Sequence, residues 1–126
     1  TPGEIVLFCT GADAVWGTEE FFRYGCGLGE EAVFYLVDQG VRVIGTDAWS
    51  LDRPYPMIGN EWATYQDPKR LWSAHFAGIK RKYSQIEKLT NLSQLPPIGS
   101  TILCFPIKVK GGSGAWARVI GLVPAE

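Results

Sequence analysis

Apolar residues in this chain come in short runs punctuated by glycine, proline and acidic positions. The first run, Ile5-Val-Leu-Phe-Cys9, is nearly continuous and halts at Thr10-Gly11. Residues 4–10 therefore predict a buried strand followed by a turn. Gly29-Glu30-Glu31 then opens the run 32–39, which Gly40 closes. Acids at the start and a glycine just past the end match the unpaired N–H and C=O groups of helix termini. Ala32, Tyr35, Leu36 and Gln39 recur at helical spacing. Residues 41–45 follow at once as a short strand. Strand, helix and strand in this order predict a βαβ unit and a partly parallel sheet.

Beyond this unit the period breaks. Pro54, Pro56, Gly59 and Asn60 interrupt residues 47–66, which read as a long irregular loop of the kind that carries function. Asp67-Pro68 supplies an N-cap and a first-turn proline, predicting a helix to about residue 76 that stops near Gly78. Residues 80–86 suit a strand, and 89–95 turn into Pro96-Pro97. Residues 101–107 predict a strand in which Pro106 demands an edge or a bulge. Gly111-Gly-Ser-Gly114 is a turn, and 115–122 complete a hairpin with Ala115, Ala117, Val119 and Gly121 alternating against Trp116, Arg118 and Ile120. The expected fold is α/β, with a mixed sheet, a βαβ unit and a C-terminal hairpin. No repeat or linker divides the chain, so residues 1–126 are expected to form one domain.

Composition narrows the function classes. Apolar residues make up 46% and charged residues 20%, a globular balance. Twelve basic against thirteen acidic residues leave no electrostatic footprint for nucleic acid. The cluster Lys80-Arg81-Lys82 reads as a solvated turn. No apolar run reaches the length of a membrane span, and no export leader is visible. The chain starts Thr1-Pro2 without methionine, as a processed or truncated piece would. Cys9, Cys26 and Cys104 form neither a Cys-x-x-Cys pair nor an even set. Cys9 and Cys104 are expected as buried free thiols, and Cys26, between two glycines, as an accessible small residue with no imidazole to activate it. Free thiols point to a reducing, cytoplasmic setting.

His75 is the sole histidine. It precedes Glu87 by twelve positions, and imidazole with carboxylate is half of a zinc or manganese site. Continuous helix would hold the two about 18 Å apart. A chain reversal at Gly78 would let them converge. By spacing alone, His75 as a packing residue and Glu87 as surface charge remain open. Asp47 and Asp52 follow a strand's carboxyl end, where ligands gather in open α/β sheets, although loop capping suits both. Asn91 fits a role in fixing the loop after Glu87, and Arg118 an exposed ion pair. Ser50 has no neighbouring base, so no catalytic residue is assigned. Trp16, Trp49, Trp62, Trp72 and Trp116 are many for this length. Exposed, they would suit a non-catalytic binding or assembly module.

Several motifs occur together and in order. Gly45-Thr-Asp-Ala-Trp-Ser-Leu-Asp52 precedes His75 with Gly78-Ile79. Ile86-Glu-Lys-Leu-Thr-Asn-Leu-Ser-Gln-Leu-Pro96 follows, then Phe105-Pro-Ile-Lys108 and Arg118. From Gly3 to Pro124 this resembles the C-terminal half of the cyclase family of metal-dependent hydrolases, the relatives of kynurenine formamidase and isatin hydrolase. The resemblance implies a swivelling β/β/α-like fold, of which this chain holds part, and a homo-oligomer. It implies hydrolysis of amide or cyclic-amide bonds, aromatic amides included, by metal-activated water, with His75 and Glu87 as ligands to zinc or manganese. The family's earlier His-x-Gly-Thr-His-x-Asp motif does not occur here. The N-terminal half is then missing from this chain, supplied by a complementing segment, or lost together with catalysis; the first is expected.

Overall fold

The computed structural model describes residues 2–125; Thr1 and Glu126 lie outside them. Two compact units divide the chain, Thr1–Leu92 and Ser93–Glu126. The first holds a three-stranded sheet of β1 (Ile5–Phe8), β2 (Val43–Thr46) and β3 (Ser84–Ile86), in that order and all parallel. Leu7, Gly45 and Ile86 lie abreast. Gly45 has no room for a side chain, because a Cβ there would stand 2.5 Å from Leu7 Cδ2.

Helix α1 (Glu30–Asp38) crosses from β1 to β2, with Glu30 and Glu31 in its first turn and Gly40 at φ 92 just beyond its end. These are the terminal signals expected from sequence. Val33 and Val37 point inward, while Tyr35 is 67% exposed. They join Val41, Ile44, Leu51, Ala74 and Ala77 in the main core.

Two elements depart from expectation. Residues 47–66 are not all loop, since α2 (Tyr55–Tyr65) occupies the second half. Pro54 is its N-cap and Pro56 lies in its first turn, where a missing N–H costs nothing. The prolines that looked like breakers start the helix. Asp67 does cap a turn, accepting from Lys69 N, but only a 3-10 turn at Pro68–Arg70 follows. The helix carrying His75 is α3 (Ser73–Lys80), which runs straight through Gly78. The reversal comes after it, and β3 is correspondingly shorter than residues 80–86. The basic cluster is more than a solvated turn. Lys80 pairs with Glu30 and Arg81 with Asp38, each at 2.5 Å, fastening α3 to α1.

The second unit contains β4 (Thr101–Pro106) and β5 (Ala117–Leu122), an antiparallel pair running from Thr101 opposite Leu122 to Pro106 opposite Ala117. Pro106 closes the ladder, as an edge proline should. Phe105, Ile107, Trp116, Ile120 and Leu122 are all exposed.

Among the described residues no helix is long and apolar enough to cross a membrane. Cys26 is exposed as expected, but Cys9 is exposed too and Cys104 half-buried. Cys9 lies just past the last residue of β1, where the sheet no longer covers it.

Candidate metal centre

Three parallel strands end at the same edge, and the residues after them build the site. Asp47 follows β2 and is wholly buried. Its carboxylate accepts from Thr10 N (2.8 Å), Thr10 Oγ1 (2.7 Å) and Gly11 N (2.8 Å). Asp47 thus ties the loop after β1 to the end of β2, the capping role that its position allowed.

Asp52 has a different task. Helix α3 starts at Trp72, whose left-handed backbone (φ 50) brings no side-chain cap. Asp52, only 2% exposed, supplies it from another segment. Its Oδ1 accepts from Ala74 N at 2.7 Å and its Oδ2 from His75 N at 3.3 Å. Carboxylate charge at a helix N-terminus is favourable on both hydrogen-bond and dipole grounds. The same Oδ2 lies 2.5 Å from His75 Nδ1. A carboxylate can only accept, so Nδ1 carries the hydrogen and Nε2 is left as the ring's lone-pair donor.

Nε2 faces Glu87. The Oε1 of Glu87 is 3.8 Å away, too far for a direct hydrogen bond. Glu87 follows β3 directly, and its Oε1 accepts from Leu51 N (2.8 Å) and Ser50 Oγ (3.1 Å). Ser50 Oγ in turn accepts from Asp52 N at 3.2 Å. Ser50 therefore joins the two carboxylates, a framing role that its lack of a neighbouring base did not reveal. Tyr83 fixes α3 from beneath by donating to Ala74 O at 2.5 Å. Burial pushes the Tyr83 hydroxyl up to about 12. The pKa of His75 is raised, first by the hydrogen bond to Asp52 and then by the charges of Glu87 and Asp52. Burial and the nearby Lys88 ammonium oppose the rise.

Two bonds of about 2.0–2.1 Å can bridge a separation of up to about 4 Å, so the gap between Nε2 and Oε1 can hold a common cation. Asp52 directs its oxygens to Ala74 N, His75 N and His75 Nδ1, so it orients the ring. Among the described residues no group of three His, Cys, Asp or Glu side chains is placed to hold an ion. His75 and Glu87 are two donors of the kind a divalent ion takes.

Beside this pair opens a cleft lined by Phe22, Tyr24, Trp49, Tyr55 and Trp72, with Cys26, Ser50, Asp52 and Arg53 as its polar members. Trp72 meets the His75 ring edge to face at 5.6 Å. Arg53 is committed to Glu61 and to Arg70 O. One supporting residue carried no sequence signal. Gly27 passes so close to the Asp52–Arg53 backbone that a Cβ would lie 2.1 Å from the Asp52 carbonyl carbon. Leu28 N donates to Leu51 O at 2.8 Å, so this glycine loop is the rear wall of the segment that frames the site. Asn91, left-handed at φ 64, donates its N–H to Asp13 and helps hold the loop after Glu87. Arg118 is an exposed residue of β5 in the other unit.

The profile of the Cyclase family, described as "Putative cyclase", matches residues 1–53. A search of curated proteins finds no match. Solved structures show a likeness of fold over nearly the whole chain. An isatin hydrolase bound to the product analogue thioisatinate is 23% identical, with a TM-score of 0.78 over 98% of this chain and 47% of that one. Isatin hydrolase A from Labrenzia aggregata, bound to benzyl benzoate, is 25% identical with a TM-score of 0.74 at the same coverages. The mixed α/β architecture, parallel sheet and antiparallel hairpin included, is that of the isatin hydrolase fold. The chain spans about half the length of these solved relatives.

Proposed function

We propose that this chain carries part of the centre of a metal-dependent hydrolase that opens amide or cyclic-amide bonds. One observation supports it above the others: Asp52 holds His75 Nδ1 at 2.5 Å, which aims Nε2 at Glu87 Oε1. A histidine oriented by a carboxylate on its far nitrogen is the usual support for a metal-bound imidazole. His75 and Glu87 would hold one divalent ion, zinc or manganese, since both accept this donor pair. When bound, such an ion supplies a Lewis acid that polarises the scissile carbonyl and acidifies water.

The chain's own residues do the rest. Asp52 and Ser50 fix the direction of both ligands before any ion arrives. The aromatic lining of the cleft, Trp49, Tyr55 and Trp72, suits contact with a planar aryl group. Aryl amides and cyclic aryl amides are thus the substrate class. The two solved relatives hold thioisatinate and benzyl benzoate, both of which contain an aromatic ring.

The remaining ligands come from a complementing N-terminal segment or from a second copy. The unit of Ser93–Glu126 supports such assembly, because a two-stranded ribbon with apolar residues exposed is marginal by itself. Three free thiols fit a reducing, cytoplasmic location. The direct test is metal uptake by the chain and by His75→Ala and Glu87→Ala. Loss of uptake in both variants with folding retained supports the assignment; equal uptake in all three rejects it.

A further inference from the structure

Lys88 takes no part in the frame around His75 and Glu87, yet it adopts a left-handed backbone at φ 60. An L-residue with a Cβ is strained there. Two backbone hydrogen bonds hold the bend, Lys88 N to Ala48 O at 3.1 Å and Leu89 N to Thr46 O at 3.0 Å. The bend delivers the ammonium to a defined place. Nζ lies 3.6 Å from Glu87 Oε2 and 4.4 Å from the centre of the Trp49 ring. The side chain is one-third exposed, so the charge is only partly shielded by water.

The two oxygens of Glu87 are therefore divided. Oε1 serves Ser50, Leu51 and the approach to His75, while Oε2 faces an ammonium. We propose that Lys88 is an internal counter-cation that competes with the divalent ion at Glu87. The inference rests on His75 and Glu87 being ligands. The ammonium offsets the negative charge of Glu87. Once an ion binds, two cations share one carboxylate at short range in a half-buried site, where repulsion is weakly screened. The Glu87 carboxylate and the face of Trp49 are the two contacts that place the ammonium there.

The test is a Mn²⁺ titration of the full chain, followed by paramagnetic broadening of the His75 imidazole signals. Lys88→Gly and Lys88→Met should bind Mn²⁺ more tightly than the parent chain, by about fivefold or more. Lys88→Arg, which keeps the charge, should bind like the parent. Lys88→Gly suits the left-handed backbone and should melt higher than the parent, so it reports even if the Met variant folds poorly. Affinities in Lys88→Gly equal to or below the parent's, with binding abolished in His75→Ala, overturn the role of Lys88 and leave the ligands standing. No broadening in the parent or in Lys88→Gly removes both.

Discussion

Asp52 Oδ2 receives both the backbone N–H and the ring Nδ1 of His75, at 3.3 and 2.5 Å. A single buried carboxylate therefore caps α3 and selects the tautomer of the only imidazole. Fold and chemistry meet in that one contact.

Replacing Asp52 by Asn separates the two effects. The amide oxygen can still cap Ala74, but its NH₂ cannot accept from Nδ1. Metal affinity should fall by about 10–100-fold, and stability by about 1–3 kcal/mol. His75 should titrate lower than in the parent, by NMR. An unchanged titration would mean that Asp52 does not orient the ring.

Gly27→Ala should be among the more damaging single-methyl additions in this chain. Its Cβ meets backbone at 2.1 Å, and backbone cannot rotate aside. Overpacking of this kind costs about 1–3 kcal/mol, occasionally more. Thermal melting should show the loss, and metal uptake should weaken because the 50–52 segment shifts. A melting point equal to the parent's would show that the glycine loop is free to move.

The raised pKa of His75 sets a pH dependence with a definite sign. The folded state favours the protonated ring, so this group's stabilisation is complete below the unfolded value of about 6.5. It is lost as pH rises through the folded pKa. Melting of the metal-free chain against His75→Gln should show the parent's advantage on the acid side, shrinking above neutrality. Metal affinity should run the other way and rise with pH over the same window, because Nε2 must shed its proton to bind. An advantage that grows with pH would contradict the assignment.

The β4–β5 ribbon leads to a prediction about association. Its exposed Phe105, Ile107 and Trp116 should be covered in the assembled protein. Sedimentation should find a species larger than a monomer at micromolar concentration, and Phe105→Glu with Trp116→Ser should dissociate it. A parent chain that stays monomeric would leave the ribbon to a complementing segment.

The βαβ unit was legible because its signals are local: acids before α1, glycine after it, apolar runs on either side. α2 was not, because Pro54 and Pro56 read as breakers unless they are known to occupy a first turn. The extent of α3 was misjudged for the converse reason, a glycine tolerated inside a helix. At the site, His75 and Glu87 stood out by chemistry. Asp52 could be placed only at a strand's carboxyl end, since its cap lies on a helix that begins twenty-one residues later. Gly27 had no sequence signal, and Lys88 stood inside the motif around Glu87 with no role attached. One is set by backbone passing within 2.1 Å, the other by a φ of 60, and neither is encoded in spacing.

Because His75 is the chain's only histidine, its ring nitrogens can be followed without ambiguity by ¹⁵N-detected NMR during zinc addition. The structure predicts that Nδ1 stays protonated against Asp52 while Nε2 shifts as it takes the ion, and that Glu87→Ala weakens the shift. A ring that ignores zinc, or one that binds it through Nδ1, would contradict the central claim.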